Sequence, residues 1–262
     1  LVSSSAASDV YKRQLSKLLV QWLGKQDGGA YATEHRVTDL TRTKNGWDVK
    51  VKNLQSGRTF TNSAKFVFIG AGGGSLPLLQ KSGITESKGF GGFPIGGQWL
   101  RCDKPEVVEQ HVAKVYGLSP GAAPTMAVPH LDTRIIDGKK SLLFGPYAAW
   151  TTKFLHGGGS FWDLPGSIRL DNIASLIKVG LHNIPLVGYL IQQGLQSMNT
   201  RMKELRNFYP DARTEDWELI DAGIRVQAVK KEDGDAGIVH FGTEVHDTCL
   251  LYTSPSPRDS SQ

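Results

Sequence analysis

The polar and apolar positions between residues 35 and 69 alternate in a way that predicts a β-meander. The stretch "WDVKVK" places Trp47, Val49 and Val51 on one face, because successive side chains of a strand point to opposite faces. Asn-Gly and Ser-Gly pairs, ending at Gly46 and Gly57, favour tight turns on either side of this strand. Three short antiparallel strands are therefore expected.

The next segment changes from alternation to a continuous apolar run. "KFVFIG" predicts a strand that is buried on both faces of a sheet. "AGGGSLPLLQKSG" follows it with a glycine loop, Ser75 as the N-cap of a helix and Gly83 as its end. In contrast, the glycine-rich "GFGGFPIGG" between Gly89 and Gly97 predicts a loop or an extended edge.

Alternation returns in "MAVPHLDTRIIDG", where it involves polar rather than apolar residues. On a strand, His130, Asp132 and Arg134 would share one face, which would carry a base, an acid and a permanent cation. An Asp-Gly turn joins this stretch to "KSLLFGPYAAWTT", so the two segments are expected to form a hairpin. The cluster is either a catalytic site or a polar strand face.

From Leu186 to Pro210 the apolar residues recur every three or four positions, which predicts one long amphipathic helix. Packing on the core is the expected use of its apolar stripe, and peripheral membrane attachment through Ile184 to Met202 is the alternative. "TEDWELI" predicts a short helix, and "AGIRVQAVK" and "AGIVHFGTEV" predict two more strands.

Composition and charge describe an ordinary folded chain. The 262 residues are 39% hydrophobic, and the formal charge of +5 comes from basic residues that are scattered rather than clustered. This distribution argues against a nucleic-acid partner and leaves room for attraction to anionic lipid or an anionic substrate. The stretches 1–14 and 246–262 lack apolar periodicity and resemble adaptor-derived sequence, so we expect both to be unpacked and non-native.

The loop "GAGGGS" lies where a phosphate-binding loop would lie, between a strand and a helix. Backbone N–H groups and the helix dipole can hold a phosphate there. However, a serine stands at the third position of the dinucleotide fingerprint, and no acidic residue follows at the usual distance for a ribose hydroxyl. From the residues alone, the glycines either bind a nucleotide or make a tight turn.

Several long strings resemble the bacterial malate:quinone oxidoreductases, in order along the chain from about Leu15 to Val245. They are "FVFIGAGGGSLPLLQKSGI", "GFGGFPIGGQWLRC", "VPHLDTRIIDGKKSLLFGPYA", "FYPDARTEDWELIDAGIRVQ" and "GIVHFGTEV". The resemblance implies an FAD enzyme of the tricarboxylic acid cycle that oxidises (S)-malate to oxaloacetate and passes the electrons to membrane quinone. It also implies a cytoplasmic protein that is peripheral on the inner face of the bacterial cell membrane.

The implied fold class is α/β: a partial Rossmann-like FAD-binding domain interleaved with a substrate domain of an antiparallel sheet plus helices, as in D-amino-acid oxidase. The expected FAD-binding segments are 15–88 and 221–245, and the expected substrate domain is 89–220. The family's main FAD fingerprint lies upstream of these residues, so the chain alone is expected to bind FAD weakly and to be inactive. The positions that the resemblance brings near FAD are Val37, through its backbone, and Gly70, Ala71, Gly72 and Gly73.

Oxidation of a 2-hydroxy acid by a flavin needs a base for the hydroxyl proton and cations for the carboxylates. The resemblance suggests His130 as the base, since a histidine can accept a proton at neutral pH. It suggests Arg225 and Arg134 as the carboxylate ligands, because a guanidinium holds a carboxylate in a fork. Where the family pattern has glutamine, this chain has Ile224, which is expected to impair activity if that glutamine touches flavin or substrate.

Other interpretations of the same residues stay open. One alternative is that His130 is a structural residue at a strand end, or that Arg134 simply pairs with an aspartate at the surface. A second is that the enzyme acts on another 2-hydroxy acid, such as 2-hydroxyglutarate. A third is that the chain is a fragment that binds neither FAD nor substrate.

Overall fold

The computed structural model describes residues 15–117, 128–136, 138–231, 236–240, 246–247 and 251–253. The segments expected to be unpacked, 1–14 and 246–262, lie outside these ranges except for 246–247 and 251–253. Those five residues lie in paired strands, so the expectation is wrong for them. The predicted α/β class is confirmed, because helices connect and cover three β-sheets. The division into FAD-binding and substrate domains remains a prediction.

The predicted meander is present and follows a helix, α1, at residues 15–23. Strands β1 (His35–Thr43), β2 (Gly46–Asn53) and β3 (Thr59–Ala64) pair antiparallel in this order. Leu40 and Trp47 are buried beneath them and contact Leu79 and Phe90 from later elements. The alternation of the sequence thus sets which side of the meander faces a core.

The predicted strand, glycine loop and helix are present as β4 (Val67–Ile69), a 3₁₀ turn at Gly72–Gly74 and α2 (Ser75–Ser82). Burial on both faces of β4 was a wrong prediction: Ile69 is buried, but Phe68 is 61% exposed. Gly83 ends α2 with a φ of 67°, as predicted. β4 pairs in parallel with β12 (Leu251–Thr253), a strand within the segment expected to be non-native, and β12 pairs with β11 (His246–Asp247).

A six-stranded sheet forms the centre of the molecule, in the order β10-β9-β5-β8-β7-β6. The glycine-rich segment predicted as a loop or edge is part of its central strand, β5 (Gly91–Cys102), which pairs with β9 and β8. The prediction failed because the glycines serve close packing here. A Cβ atom on Gly92 would come within 2.6 Å of the Val226 side chain.

The predicted hairpin is β7 (His130–Ile136) and β8 (Lys139–Trp150), with β6 (Val115–Tyr116) on the outer side of β7. Strand β9 (Glu218–Lys231) runs antiparallel to β5 along its length, and β10 (Ala236–His240) follows it. The expected domain boundary after residue 220 therefore falls inside β9.

The helices after β8 cover the sheet in short pieces. The long helix predicted from Leu186 to Pro210 is two helices, α6 (Ile184–Gly194) and α7 (Met198–Leu205), because Ser197 caps α7 by accepting a hydrogen bond from the Thr200 N–H. The "TEDWELI" helix is reduced to a 3₁₀ turn at Thr214–Asp216. The remaining helices are α3 (Pro105–Val108), α4 (Asp163–Ser167) and α5 (Ile173–His182).

The six-stranded sheet has two chemically different faces. One face packs against α7 in an apolar core around Leu100, Phe144 and Met202. The opposite face carries Trp99, buried beside Leu143 and Ala222. We call this second side the Trp99 face, and the polar residues of β7 lie on it.

Candidate active site

His130, Asp132 and Arg134 share the Trp99 face, as the alternation predicted. The His130 ring lies 5.0 Å from the Trp99 ring between centroids, and the Arg134 guanidinium lies 5.3 Å from it. Asp132 and Arg134 are almost fully buried, at 1% and 3% exposure. The interpretation of Arg134 as part of a solvated surface pair is therefore wrong, although its pairing with an aspartate is correct.

Asp132 is the counter-ion of two cations. Its Oδ2 atom accepts a hydrogen bond from Arg134 Nε at 3.0 Å and lies 3.3 Å from Lys114 Nζ. Both contacts are shielded from water, so removal of this one carboxylate would leave two positive charges without their shared partner. Asp132 thus holds the cations of the site together.

His130 has one ring nitrogen engaged and the other buried without a partner among the described residues. Its Nδ1 atom lies 3.2 Å from the carbonyl oxygen of Val128, and its Nε2 atom is fully enclosed. Burial lowers the pKa of His130 below its ordinary value, and the nearby Lys114 and Arg134 charges lower it further. The imidazole is therefore neutral at pH 7 and can accept a proton at Nε2.

Four residues that the sequence interpretation missed complete this cluster: His111, Lys114, Tyr116 and Trp99. Burial lowers the pKa of His111, whose backbone carbonyl accepts a hydrogen bond from Thr133. These residues lie 14 to 31 positions before His130, and only the strand order β5-β8-β7-β6 brings them to it. No local spacing in the sequence signals that arrangement.

Arg225 lies on the Trp99 face as well, but far from His130. Arg225, on β9, is opposite Ile95 of β5. His130, on β7, is opposite Gly145 of β8, and β7 is three strands away from β9. Strand spacing and residue rise place the two Cα atoms about 20 Å apart. The side chains that the register places between them are small: Gly97, Ala148 and Ala222.

Ile224 lies opposite Gly96, on the other face of the sheet from Arg225. Its side chain is buried, so here an apolar residue serves the packing of the sheet. The expected loss of activity through the missing glutamine remains a prediction.

The predicted cofactor-binding loop splits into two parts. Gly70 and Ala71 are exposed, and Gly72 has a left-handed φ of 56°, so their backbone is open to a ligand. Gly73 is different, since a Cβ atom there would lie 1.9 Å from the Phe154 carbonyl oxygen. The Ser75 hydroxyl accepts a hydrogen bond from the Ala71 N–H rather than capping α2 as predicted.

Replacement of Gly73 by alanine should therefore destabilise the chain through packing. We expect the free energy of unfolding to fall by at least about 1–3 kcal/mol, because β-carbon and carbonyl oxygen would collide. Gly74→Ala is the matched control: the nearest atom to its Cβ position is 3.6 Å away, so a change within about 0.5 kcal/mol is expected. Urea denaturation followed by circular dichroism measures both. Equal stabilities of the two variants would contradict the packing role.

Val37 lies in the edge strand β1, paired with Val51 of β2. Its half-buried side chain packs against the core shared by the meander and α2. Lys81 of α2 donates a hydrogen bond to the carbonyl oxygen of Thr38, the next residue. The meander edge and the helix that follows the glycine loop are thus adjacent, and one ligand can contact both.

Residues 2–250 match the family model for malate:quinone oxidoreductase. A probable malate:quinone oxidoreductase 2 of Pseudomonas aeruginosa is 53% identical over 254 residues, which cover 95% of this chain and 50% of that protein. A probable malate:quinone oxidoreductase of Flavobacterium psychrophilum is 48% identical over 99% of this chain and 54% of its own length. The chain spans about half the length of the curated relatives it matches.

Among solved structures, the glycerol-3-phosphate dehydrogenase from Bacillus halodurans, complexed with FAD, is similar to this chain at a TM-score of 0.49. Its sequence identity is 13%, and the match covers 89% of this chain and 36% of that one.

Proposed function

Because this chain belongs to the malate:quinone oxidoreductase family, we propose that the intact protein oxidises (S)-malate to oxaloacetate and passes the electrons to membrane quinone, as a step of the tricarboxylic acid cycle. The chain matches about half of its relatives' length, so the proposed activity is that of the intact protein.

The observation that carries this proposal is the match of residues 2–250 to the family model. Within the described residues His130 offers a base, because its Nδ1 atom faces the Val128 carbonyl oxygen and its Nε2 atom carries the lone pair. The malate hydroxyl is a suitable donor, and its proton must leave as the substrate is oxidised. His130 therefore accepts this proton at Nε2.

The charges of the Trp99 face suit a dicarboxylate. Arg225 of β9 holds one malate carboxylate. Arg134 is tied to Asp132 through its Nε atom, so it contributes positive charge beside His130. The two arginines act from separate strands of one sheet.

FAD is the cofactor that this family membership implies, and the described residues fit one wall of its site. The exposed backbone of Gly70 and Ala71 and the left-handed turn at Gly72, before the start of α2, would hold its phosphates. Val37 contributes its edge-strand backbone. When bound, FAD supplies the two-electron acceptor that malate oxidation needs.

The test is the reduction of an artificial dye, and of a soluble quinone, by the intact protein with (S)-malate as the donor. We expect malate-dependent turnover, with 2-hydroxyglutarate at least about 100-fold poorer in kcat/KM, because arginines placed for one dicarboxylate leave a longer one misaligned. Preference for 2-hydroxyglutarate would assign the site to another 2-hydroxy acid. No turnover with either acid, in a protein that holds FAD, would refute the proposed oxidation.

We further propose that the protein rests peripherally on the inner face of the cell membrane through α5. Ile173, Ile177 and Leu181 recur every four residues along one side of α5, are 41–62% exposed, and form what we call the α5 apolar face. In the described chain no single helix is long and apolar enough to cross a bilayer; only a pair bent by 76°, Ile173–His182 with Val187–Gly194, passes that test together. Further exposed apolar side chains nearby are Phe161, Trp162, Leu170, Ile191 and Leu195.

Charges on the α5 apolar face should abolish membrane binding without unfolding the chain. The double variant Ile177→Glu, Leu181→Glu is expected to lower the vesicle-bound fraction about tenfold or more in flotation with phosphatidylglycerol vesicles, since both side chains are exposed and apolar. Leu190 is unsuitable for this test because it is buried.

The charge-matched control is Leu54→Glu, Gln55→Glu, at an exposed turn of the meander. It adds the same two negative charges elsewhere and should float as the unmodified chain does. If both double variants lost binding equally, the attraction would be a matter of net charge, and the α5 apolar face would not be the attachment surface.

A further inference from the structure

The imidazole of His130 lies between two aromatic rings. The Trp99 ring approaches it edge to face, at 5.0 Å between centroids and an interplanar angle of 78°. On the other side, the Tyr116 ring lies at 5.0 Å with an angle of 33°. The two rings belong to β5 and β6, and together they restrict rotation of the imidazole about its side-chain bonds.

The hydrogen bond at Nδ1 fixes the tautomer. A carbonyl oxygen can only accept, so the proton of the neutral ring lies on Nδ1 and is donated to Val128. Nε2 then carries the lone pair. The rings and this bond thus present a fixed acceptor at the atom that is enclosed without a partner among the described residues.

The charged and titratable groups that face His130 are few. Lys114 and Tyr116 come from β6 and the residues before it, and Asp132 and Arg134 come from the same strand as His130. Lys114 lies 5.2 Å from the centroid of the Tyr116 ring, which it holds in place from outside. Burial, to which Tyr116 contributes as the outer ring, keeps the pKa of His130 below its ordinary value.

We propose that Trp99 and Tyr116 are positioning residues, which hold the His130 imidazole in one orientation, so that its Nδ1–H keeps the hydrogen bond to Val128 and Nε2 keeps the lone pair. This assignment rests on the proposed function, in which His130 is the base. Trp99 also supports the core, with 1% exposure, but Tyr116 is 62% exposed. A ring that contributes so little to the core can be changed without loss of the fold, so Tyr116 is the residue to test.

The test compares Tyr116→Leu with the matched control Tyr116→Phe in the 262-residue chain. Long-range ¹H–¹⁵N correlation spectra report which His130 nitrogen carries the proton and how the ring titrates. We expect the wild type and Tyr116→Phe to show protonated Nδ1 and a titration below the ordinary histidine range. Tyr116→Leu loses the ring, so its titration should move up toward that range and its tautomers should mix.

The second measurement is malate turnover by the intact protein. Tyr116→Leu should lower kcat about tenfold with little change in KM, because the misaimed base affects the chemical step, and Tyr116→Phe should stay within about twofold. The proposal is overturned if Tyr116→Leu keeps the wild-type titration, or if titration moves and kcat does not. Absence of malate turnover in the wild type would overturn the proposed function instead, and the tautomer result would stand on its own.

Discussion

Replacement of Asp132 by asparagine is expected to lower the free energy of unfolding of the chain by about 3–5 kcal/mol, because it removes the buried carboxylate that the buried Arg134 and the partly buried Lys114 share. Asp132 is 1% exposed and is the shared partner of Arg134 and Lys114. Asparagine has nearly the same shape, so the loss would report charge rather than volume. Urea denaturation of the chain, followed by circular dichroism, gives the difference directly.

Glu218→Gln is the control for this prediction. Glu218 accepts a hydrogen bond from Arg101 Nε at 2.9 Å, but its side chain is 59% exposed. Water screens that pair, so its loss should cost no more than about 1 kcal/mol. If Asp132→Asn lowered the free energy of unfolding no more than Glu218→Gln does, Arg134 and Lys114 would not need the Asp132 carboxylate. That result would contradict the role of Asp132 as their shared counter-ion.

The sequence predicted this cluster in part because alternation is a local property. It placed His130, Asp132 and Arg134 on one face, and the β7–β8 hairpin followed from the Asp-Gly turn between the strands. It did not predict that this face is buried. Burial comes from Trp99 on β5, Tyr116 on β6 and Lys114 just before β6, which only the order of strands in the sheet brings together.

Glycines limited the sequence-based prediction at two places, for one physical reason. Because glycine has no side chain, it can form a tight turn, or it can let a ligand or another part of the chain approach the backbone closely. The sequence does not say which of these applies. In β5, Gly92 admits the Val226 side chain, so a predicted loop is a central strand. In the phosphate-loop candidate, Gly73 admits the Phe154 carbonyl, while Gly72 makes the turn.

Loss of the His130 imidazole is expected to have the largest effect on catalysis. In the intact protein, His130→Ala should lower kcat for malate about 100-fold or more with a modest change in KM, since general-base catalysis typically contributes that much. His130→Asn should be as poor. Its amide can still donate to the Val128 carbonyl, as Nδ1 does, but it offers no base at the position of Nε2.

The pH dependence and chemical rescue separate a base from a structural residue. Burial lowers the pKa of His130, so kcat/KM of the wild type should be flat around pH 7 and fall only below the ordinary histidine value of about 6.5, as the ring becomes protonated. The alanine variant should lose this acid limb, and added imidazole should restore part of its rate. Wild-type turnover by His130→Ala with FAD still bound would instead make His130 a structural residue at the start of β7, enclosed by Trp99 and Tyr116 for packing alone.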